Sequence, residues 1–379
     1  MPILEDAMSN IAYMDYNATA PIVPGATQAI VDALACIGNP SSVHGMGRKA
    51  RALMEDARDC VGAFVNVRSD WVFFTSGGTE ADALAIKGCG RERILVSSVE
   101  HAAVLNASEV VETLDVDANG IVLLDGLEDR LKNDSRPTLV SVMAANNETG
   151  VIQPIAEIVE IAHRYDALVH CDAVQAVGKI DFDMQALGCD LISLSAHKMG
   201  GPQGVGALVK RPEIKLQAQI SGGGQERSLR GGTENLIGIV GFGAAAKEKT
   251  NFMRVKALRD DLETQIKGLS DDIIIFGETV DRLPNTSFFA LRGLTSERQV
   301  MALDLAGVMI SSGSACSSGK VKASHVLAAM GVGDEYANSA IRVSLGWDSH
   351  KDDIDKFVQA YAKLVERVQQ KNSNRSDAA

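Results

Sequence analysis

Residues 191–198 run Leu191-Ile192-Ser193-Leu194-Ser195-Ala196-His197-Lys198, a short apolar stretch that gives way to Ser195, His197 and Lys198. An apolar run of this length between polar flanks is the mark of a buried strand, so Lys198 stands just past a strand's carboxyl end. The pattern recurs. Val72–Phe74 is followed by Thr75-Ser76-Gly77-Gly78-Thr79-Glu80, and Ile94–Val96 by Ser97-Ser98-Val99-Glu100-His101. Leu139–Met143 leads to Asn146-Asn147-Glu148, and Leu168–Val169 to His170, Asp172 and Gln175. Val205–Val209 reads as a further strand. Helical stretches such as Ile155–Arg164 separate several of these runs. The alternation predicts an α/β fold with a mostly parallel sheet and helices on its faces. In such sheets ligands bind beyond the carboxyl ends of the strands. Five polar clusters, each just past a strand, are therefore expected to meet in one place.

Outward from this centre the rhythm changes. Arg48–Val65 and Asp353–Gln369 carry apolar residues at helical spacing. From Asn251 onward, strand-like pieces at Ile273–Phe276, Thr286–Phe289 and Arg342–Leu345 alternate with helices, which predicts a second, smaller α+β domain. The boundary is expected near Gly243–Phe252. Residues 16–250 then form the large domain, and 1–15 with 251–379 the small one. The tail from Gln369 to Ala379 reads as frayed and polar.

Composition narrows the class. With 379 residues, 46% hydrophobic and 23% charged, the chain can bury a sizeable core in one large domain with a satellite or in two ordinary ones. Aromatics at 4% and 35 glycines suit tightly packed α/β layers and shaped loops. A formal net charge of -12 argues against direct binding to DNA or RNA. No apolar stretch approaches the roughly 20 residues of a membrane helix, and Met1–Asn10 has Glu5 and Asp6 but no basic n-region. The six cysteines, Cys36, Cys60, Cys89, Cys171, Cys189 and Cys316, form no C-x-x-C pair. A cytoplasmic protein with reduced thiols is expected. The first five are expected to be small core residues.

Three features suggest a cofactor. Thr75–Thr79 is a Gly-rich turn before a helical stretch, where backbone N–H groups favour an anion and the Thr79 hydroxyl adds a donor. Any strand–turn–helix junction can look like this, but no G-x-x-x-x-G-K-[ST] loop occurs, which disfavours a nucleoside triphosphate. Lys198, among Ser, His and glycines, suits an amine of lowered pKa that condenses with a carbonyl. A surface lysine in a Gly-rich turn would satisfy the same sequence. Asp172 could keep a pyridine nitrogen protonated, or cap a turn. A phosphate cradle with a pocket lysine suggests pyridoxal phosphate. His101 could stack on the ring, or be a structural histidine.

Taken in order, the motifs resemble those of a known family. They are Tyr13-Met14-Asp15-Tyr16-Asn17-Ala18-Thr19, Gly38-Asn39-Pro40-Ser41-Ser42, Thr75-Ser76-Gly77-Gly78-Thr79-Glu80, Glu100-His101, Asn146-Asn147-Glu148-Thr149-Gly150, Asp172-Ala173-Val174-Gln175, His197-Lys198, Arg230-Gly231-Gly232-Thr233 and Ser311-Ser312-Gly313-Ser314-Ala315-Cys316. The chain resembles the group I cysteine desulfurases from about Tyr13 to Leu364. The resemblance implies a fold-type-I pyridoxal 5'-phosphate enzyme of the class-V aminotransferase superfamily, a cytoplasmic homodimer. It implies a large domain with a mostly parallel seven-stranded sheet and a smaller α+β domain. By the same likeness Lys198 is the Schiff-base lysine, Asp172 pairs the pyridine nitrogen, Gln175 contacts the ring oxygen and His101 stacks on the ring. Gly78, Thr79, Ser195 and His197 hold the phosphate, and Thr233 reaches the phosphate of the neighbouring subunit's cofactor. Asn147 and Arg342 grip the substrate carboxylate, a task a guanidinium suits because it can donate two parallel hydrogen bonds. Ala20 and Gln203 depart from the family pattern at positions without an assigned role.

Ser311–Gly319 is a Ser, Gly and Ala run around one Cys, with no apolar period. A thiol there is expected to be exposed and movable, a reagent more than a bystander. The implied chemistry takes L-cysteine to L-alanine. Lys198 removes the Cα proton, and the Cys316 thiolate takes the substrate sulfur as a persulfide. An ordinary thiol, with pKa about 8.5, is mostly protonated at neutral pH and needs a base; His101 is the nominee. A sulfur-acceptor scaffold protein for iron–sulfur clusters is the expected partner, with no nucleic acid, membrane or metal. A selenocysteine lyase or an aminotransferase would use the same cradle, and a retired relative could serve as a scaffold. Presence of Lys198, Asp172 and Cys316 weighs against the last.

Overall fold

The structure is a computed structural model and describes residues 11–313 and 324–376. A short strand, β1 (Ala12–Tyr13), precedes the strands of the main sheet. These are β2 (Val72–Thr75), β3 (Arg93–Ser97), β4 (Val111–Leu114), β5 (Thr138–Ser141), β6 (Leu168–Asp172), β7 (Leu191–Ser195) and β8 (Gly206–Lys210). They form a seven-stranded sheet in the order β2-β8-β7-β6-β5-β3-β4. β8 runs antiparallel to both neighbours, and the pairs from β7 through to β4 are all parallel. β2 therefore points the same way as the parallel strands. The carboxyl ends of β2, β3, β5, β6 and β7 open onto one edge, which is why their polar sequels can share a site.

The strands are nearly continuous apolar runs because helices cover both faces. Side chains alternate between two cores, as the period of 2 requires. Leu95, Val140, Val169 and Ile192 enter one, while Ile94, Val96, Leu139, Leu191 and Leu208 enter the other. Each fully buried aliphatic side chain contributes about 1.5–3 kcal/mol. The helix Ile155–Arg164 packs its apolar stripe, Ile155, Ile158, Val159 and Ala162, into the first core.

Beyond these, β9 (Ile273–Ile275), β10 (Thr286–Leu291), β11 (Val308–Met309), β12 (Ser311–Ser312) and β13 (Ala340–Ser344) belong to the smaller α+β domain. β12, β13, β10 and β9 make an antiparallel sheet, and β11 pairs with β1 in parallel. The helices Phe252–Lys267 and Lys351–Ser376 pack with this sheet around Phe289, Phe357 and Tyr361. Phe289 meets both other rings edge-on, at centroid distances of 6.2 and 5.5 Å, a favourable aromatic geometry.

The sequence pattern does not reveal β4, β1, β11 or β12. β4 is an edge strand with a mostly half-buried face, and the others are two residues long. The expectation for the cysteines needs correction. Cys171 and Cys189 are buried, but Cys36, Cys60 and Cys89 are only partly so. Cys60 and Cys89 pack against the edges of two cores, and each thiol also bonds back along its helix, Cys60 Sγ to Asp56 O at 2.9 Å and Cys89 Sγ to Ile86 O at 3.3 Å. Cys316 lies outside the described residues.

Candidate active site

β2 ends in the turn that starts the helix Gly78–Gly88. The first bond of that helix runs from Ala81 N to Gly77 O, so the amides of Gly78, Thr79 and Glu80 lie ahead of its ladder. Close packing makes glycine necessary here. A Cβ on Gly78 would sit 2.9 Å from Val174 Cγ2, and one on Gly206 would lie 2.5 Å from Leu194 O and 2.7 Å from Gly77 Cα. The cradle, the end of β7 and the start of β8 thus close on each other. Glu80 fixes the turn from outside, accepting from Ser76 N at 2.9 Å and pairing with Arg230 at 2.9 Å.

β6 delivers Asp172, which is buried and accepts a bond from Val174 N at 2.9 Å. Burial raises its pKa, while the Val174 N–H and the nearby His101 and Lys198 oppose that rise. Asp82, on the helix behind it, is 1% exposed and its Oδ1 has no hydrogen-bond partner among the described residues. Burial first, and Asp172 second, hold the Asp82 carboxyl well above the usual range. β7 delivers Ser195, and the short turn Ala196–Lys198 aims Lys198 Nζ at Asn17 O (2.7 Å) and Ala18 O (2.8 Å). His197 Nδ1 lies 3.2 Å from Thr19 Oγ1. Burial, then Lys198, lower its pKa to about 4, so its ring is neutral at physiological pH. His101 follows β3 and caps the helix Ala102–Leu105 by accepting from Ala103 N at 3.1 Å.

The opposite wall is assembled from distant parts of the chain. Arg342 on β13 is 3% exposed. One terminal nitrogen donates to Asn147 O and the other to Asp15 Oδ1, both at 2.8 Å, and its Nε has no partner among the described residues. Asp15 also accepts from Ser311 Oγ at 2.7 Å. Glu148 is buried and accepts from Ser324 Oγ. Burial raises its pKa to about 7, against the pull of the Ser324 bond, Arg342 and His101.

These groups line one cavity of about 430 Å³. Its walls include Gly78, Thr79, His101, Asn147, Asp172, Gln175, Ser195, His197, Lys198 and Arg342, ten of the twelve residues nominated from sequence. Thr233 is not among them. It is exposed in a separate recess of about 120 Å³, beside Thr75, Ser76 and Arg230. The sequence reading missed Asn17, Asp82 and Glu148, which also line the cavity, and Lys179 and Asp15, which brace it. Asn17, Asp15 and Glu148 lie inside the quoted motifs, so motif membership was their available signal. Among the described residues no cluster of ligating side chains could hold a metal ion, and no helix is long and apolar enough to cross a membrane.

The class-V aminotransferase family matches residues 12–357. A cysteine desulfurase of Cereibacter sphaeroides is 42% identical over 374 residues, covering 94% of this chain and 96% of that one. The cysteine desulfurase IscS of Dictyoglomus turgidum is 39% identical, covering 95% and 96%. The crystal structure of a NifS-like protein from Rickettsia africae superposes with a TM-score of 0.87 at 35% identity, over 94% of this chain and 99% of that one. The chain belongs to the group I cysteine desulfurases. This family is built on the fold-type-I architecture of pyridoxal-phosphate enzymes, and the described fold is that architecture. The cavity's chemistry fits the family's cofactor. A lysine amine, a buried carboxylate with one N–H bond, and a glycine-built helix N-terminus face the same space.

Proposed function

We propose that the protein is a pyridoxal-phosphate cysteine desulfurase that converts L-cysteine to L-alanine and carries the sulfur on Cys316 as a persulfide. The observation that supports this most is the convergence of Lys198, Asp172 and the Gly78–Thr79 turn on one cavity. Lys198 Nζ would hold the cofactor's carbonyl carbon, Asp172 would face its ring nitrogen and Gln175 its ring oxygen, and His101 would stack on the ring. Gly78, Thr79, Ser195 and neutral His197 would hold the phosphate. When bound, the cofactor supplies an electrophilic carbon and an electron-accepting ring.

The chain's own groups account for the rest. Arg342 and Asn147 orient the substrate carboxylate. Lys198 Nζ, once released, takes the proton from the substrate Cα. His101 accepts the Cys316 thiol proton. Cys316 Sγ then bonds to the substrate sulfur as the Cβ–S bond breaks. The electron pair of that bond stays with carbon; protonation there, with return of the proton from Lys198 to Cα, gives alanine. Thr233 completes the partner's phosphate site in a homodimer. Residues 16–250 form the cofactor-holding body, and 1–15 with 251–379 the domain that carries Cys316. The persulfide supplies an iron–sulfur scaffold protein in the cytoplasm.

Reduction of the cofactor-loaded protein with borohydride, followed by peptide mapping, tests the placement. The cofactor should be fixed to Lys198. A mark on Lys179 or another lysine would show that the site is wrongly assembled.

A further inference from the structure

Lys179 is a second buried lysine beside the first. Its Nζ donates to Gln175 Oε1 at 2.5 Å and to Asn17 Oδ1 at 2.8 Å. The side chain is 5% exposed and does not line the cavity; it lies behind Gln175 and Asn17, which do. Both acceptors are neutral amides. Burial, with Lys198 and Arg342 nearby, holds the Lys179 pKa well below the usual lysine value. Burying a lysine on two amide oxygens, with neither bond to a carboxylate, costs stability, and both bonds are made by its Nζ as donor.

It fixes the orientation of Gln175. An amide group presents one oxygen acceptor and one NH2 donor. Lys179 occupies the Gln175 oxygen, and the Gln175 NH2 donates to Asn17 O at 2.9 Å. The same Asn17 O receives Lys198 at 2.7 Å. Asn17 is anchored in turn: its NH2 donates to Thr286 Oγ1 at 2.9 Å, and its Oδ1 accepts from Asn285 at 3.0 Å as well as from Lys179. With its oxygen turned back to Lys179, Gln175 can offer the cavity only a donor.

We propose that Lys179 is a positioning residue that locks Gln175 as a hydrogen-bond donor toward the cofactor's ring oxygen. This rests on the pyridoxal-phosphate reading above. Without Lys179 the Gln175 amide can turn, presenting its oxygen to an oxygen.

The test is a double-mutant cycle on cofactor affinity, with pyridoxal 5'-phosphate titrated into each protein and followed by its visible absorbance band. Lys179→Met and Gln175→Leu should each weaken binding about tenfold, a change of about 1.4 kcal/mol. The double variant should be no weaker than the worse single, because both remove one interaction. The Lys179→Met band should also shift as the Gln175→Leu band does, a signature that general loosening would not copy. Lys179→Gln, run in parallel, keeps a shorter donor and should lose less, so an unfolded Met variant does not close the test. Full additivity in the cycle, or unchanged affinity on losing Lys179, overturns the proposal while leaving the cofactor assignment intact. A wild type that binds no cofactor overturns both.

Discussion

The two walls of the cavity are made in different ways. On the sheet side, Asp172, Ser195 and Lys198 stand at the ends of neighbouring strands β6 and β7, and the Gly78 cradle begins one turn after β2. Local sequence places them, and the parallel sheet brings them together. On the other side, Arg342 reaches Asp15 and Asn147, 327 and 195 residues away, and Ser311 reaches the same Asp15. That wall joins side chains far apart in sequence, so only the folded chain brings them together. On the proposed reading, the sheet side would hold the cofactor and the other side, with Arg342 and Asn147, would orient the substrate carboxylate.

Thr233 offers the most severe test of this division, since it belongs to neither wall of its own cavity. Lys198→Ala and Thr233→Ala homodimers should each be inactive or nearly so. Mixed dimers contain one site with both defects and one with neither, so each heterodimer should recover up to half the activity of a wild-type dimer. Proven heterodimers without recovery would mean that Thr233 serves its own subunit or no site at all.

Arg342→Lys separates the walls more finely. Lysine keeps the charge but cannot reach Asp15 and Asn147 together as the planar guanidinium does. KM for L-cysteine should rise roughly tenfold or more, in keeping with the 1.5–3 kcal/mol of a hydrogen bond to a charged group. The visible band of bound cofactor should not change, because the sheet side is untouched. Loss of the band with KM unaltered would reverse the roles of the two walls.

The smallest expected effect is on stability. Glu148 has a pKa of about 7 in the folded chain against an ordinary 4.5. The native state therefore binds the extra proton between those values, and stability falls as pH rises from about 4.5 to about 7. At about 1.4 kcal/mol per pKa unit, the full loss is about 3.5 kcal/mol. Glu148→Gln keeps an acceptor for Ser324 and removes the ionisation. Urea unfolding at pH 5 and pH 8 should show the wild type losing stability between them and the variant losing about 2.5 kcal/mol less. Equal pH dependence in the two proteins would show that Glu148 ionises freely.

Most of the sheet side was legible in the sequence because a short apolar run that stops at a polar cluster announces both a buried strand and the place where its ligands meet. Helix Ile155–Arg164 was legible for the same kind of reason, an unbroken apolar stripe. β4 was not, because Val111-Glu112-Thr113-Leu114 has too little apolar contrast for an edge strand. Lys179 follows Gly178 in a turn, a context that normally exposes a lysine; only the fold shows it turned inward to Gln175. The Asp15–Arg342 pair could not be read from spacing at all, and Arg342 was nominated through family likeness. The roles of the cysteines divide similarly. Nothing in the sequence around Cys60 or Cys89 shows that each packs only against the edge of a core while its thiol bonds back to its own helix.

The central claim is that Cys316 receives the sulfur. Wild-type protein incubated with L-cysteine carrying radiolabelled sulfur, without reductant, should yield reductant-labile label on the peptide containing Cys316, together with alanine. Cys316→Ala should still bind cofactor and L-cysteine, and should release almost no alanine or sulfide. Full turnover by Cys316→Ala, or label on Cys171 or Cys189 in the wild type, would contradict the account.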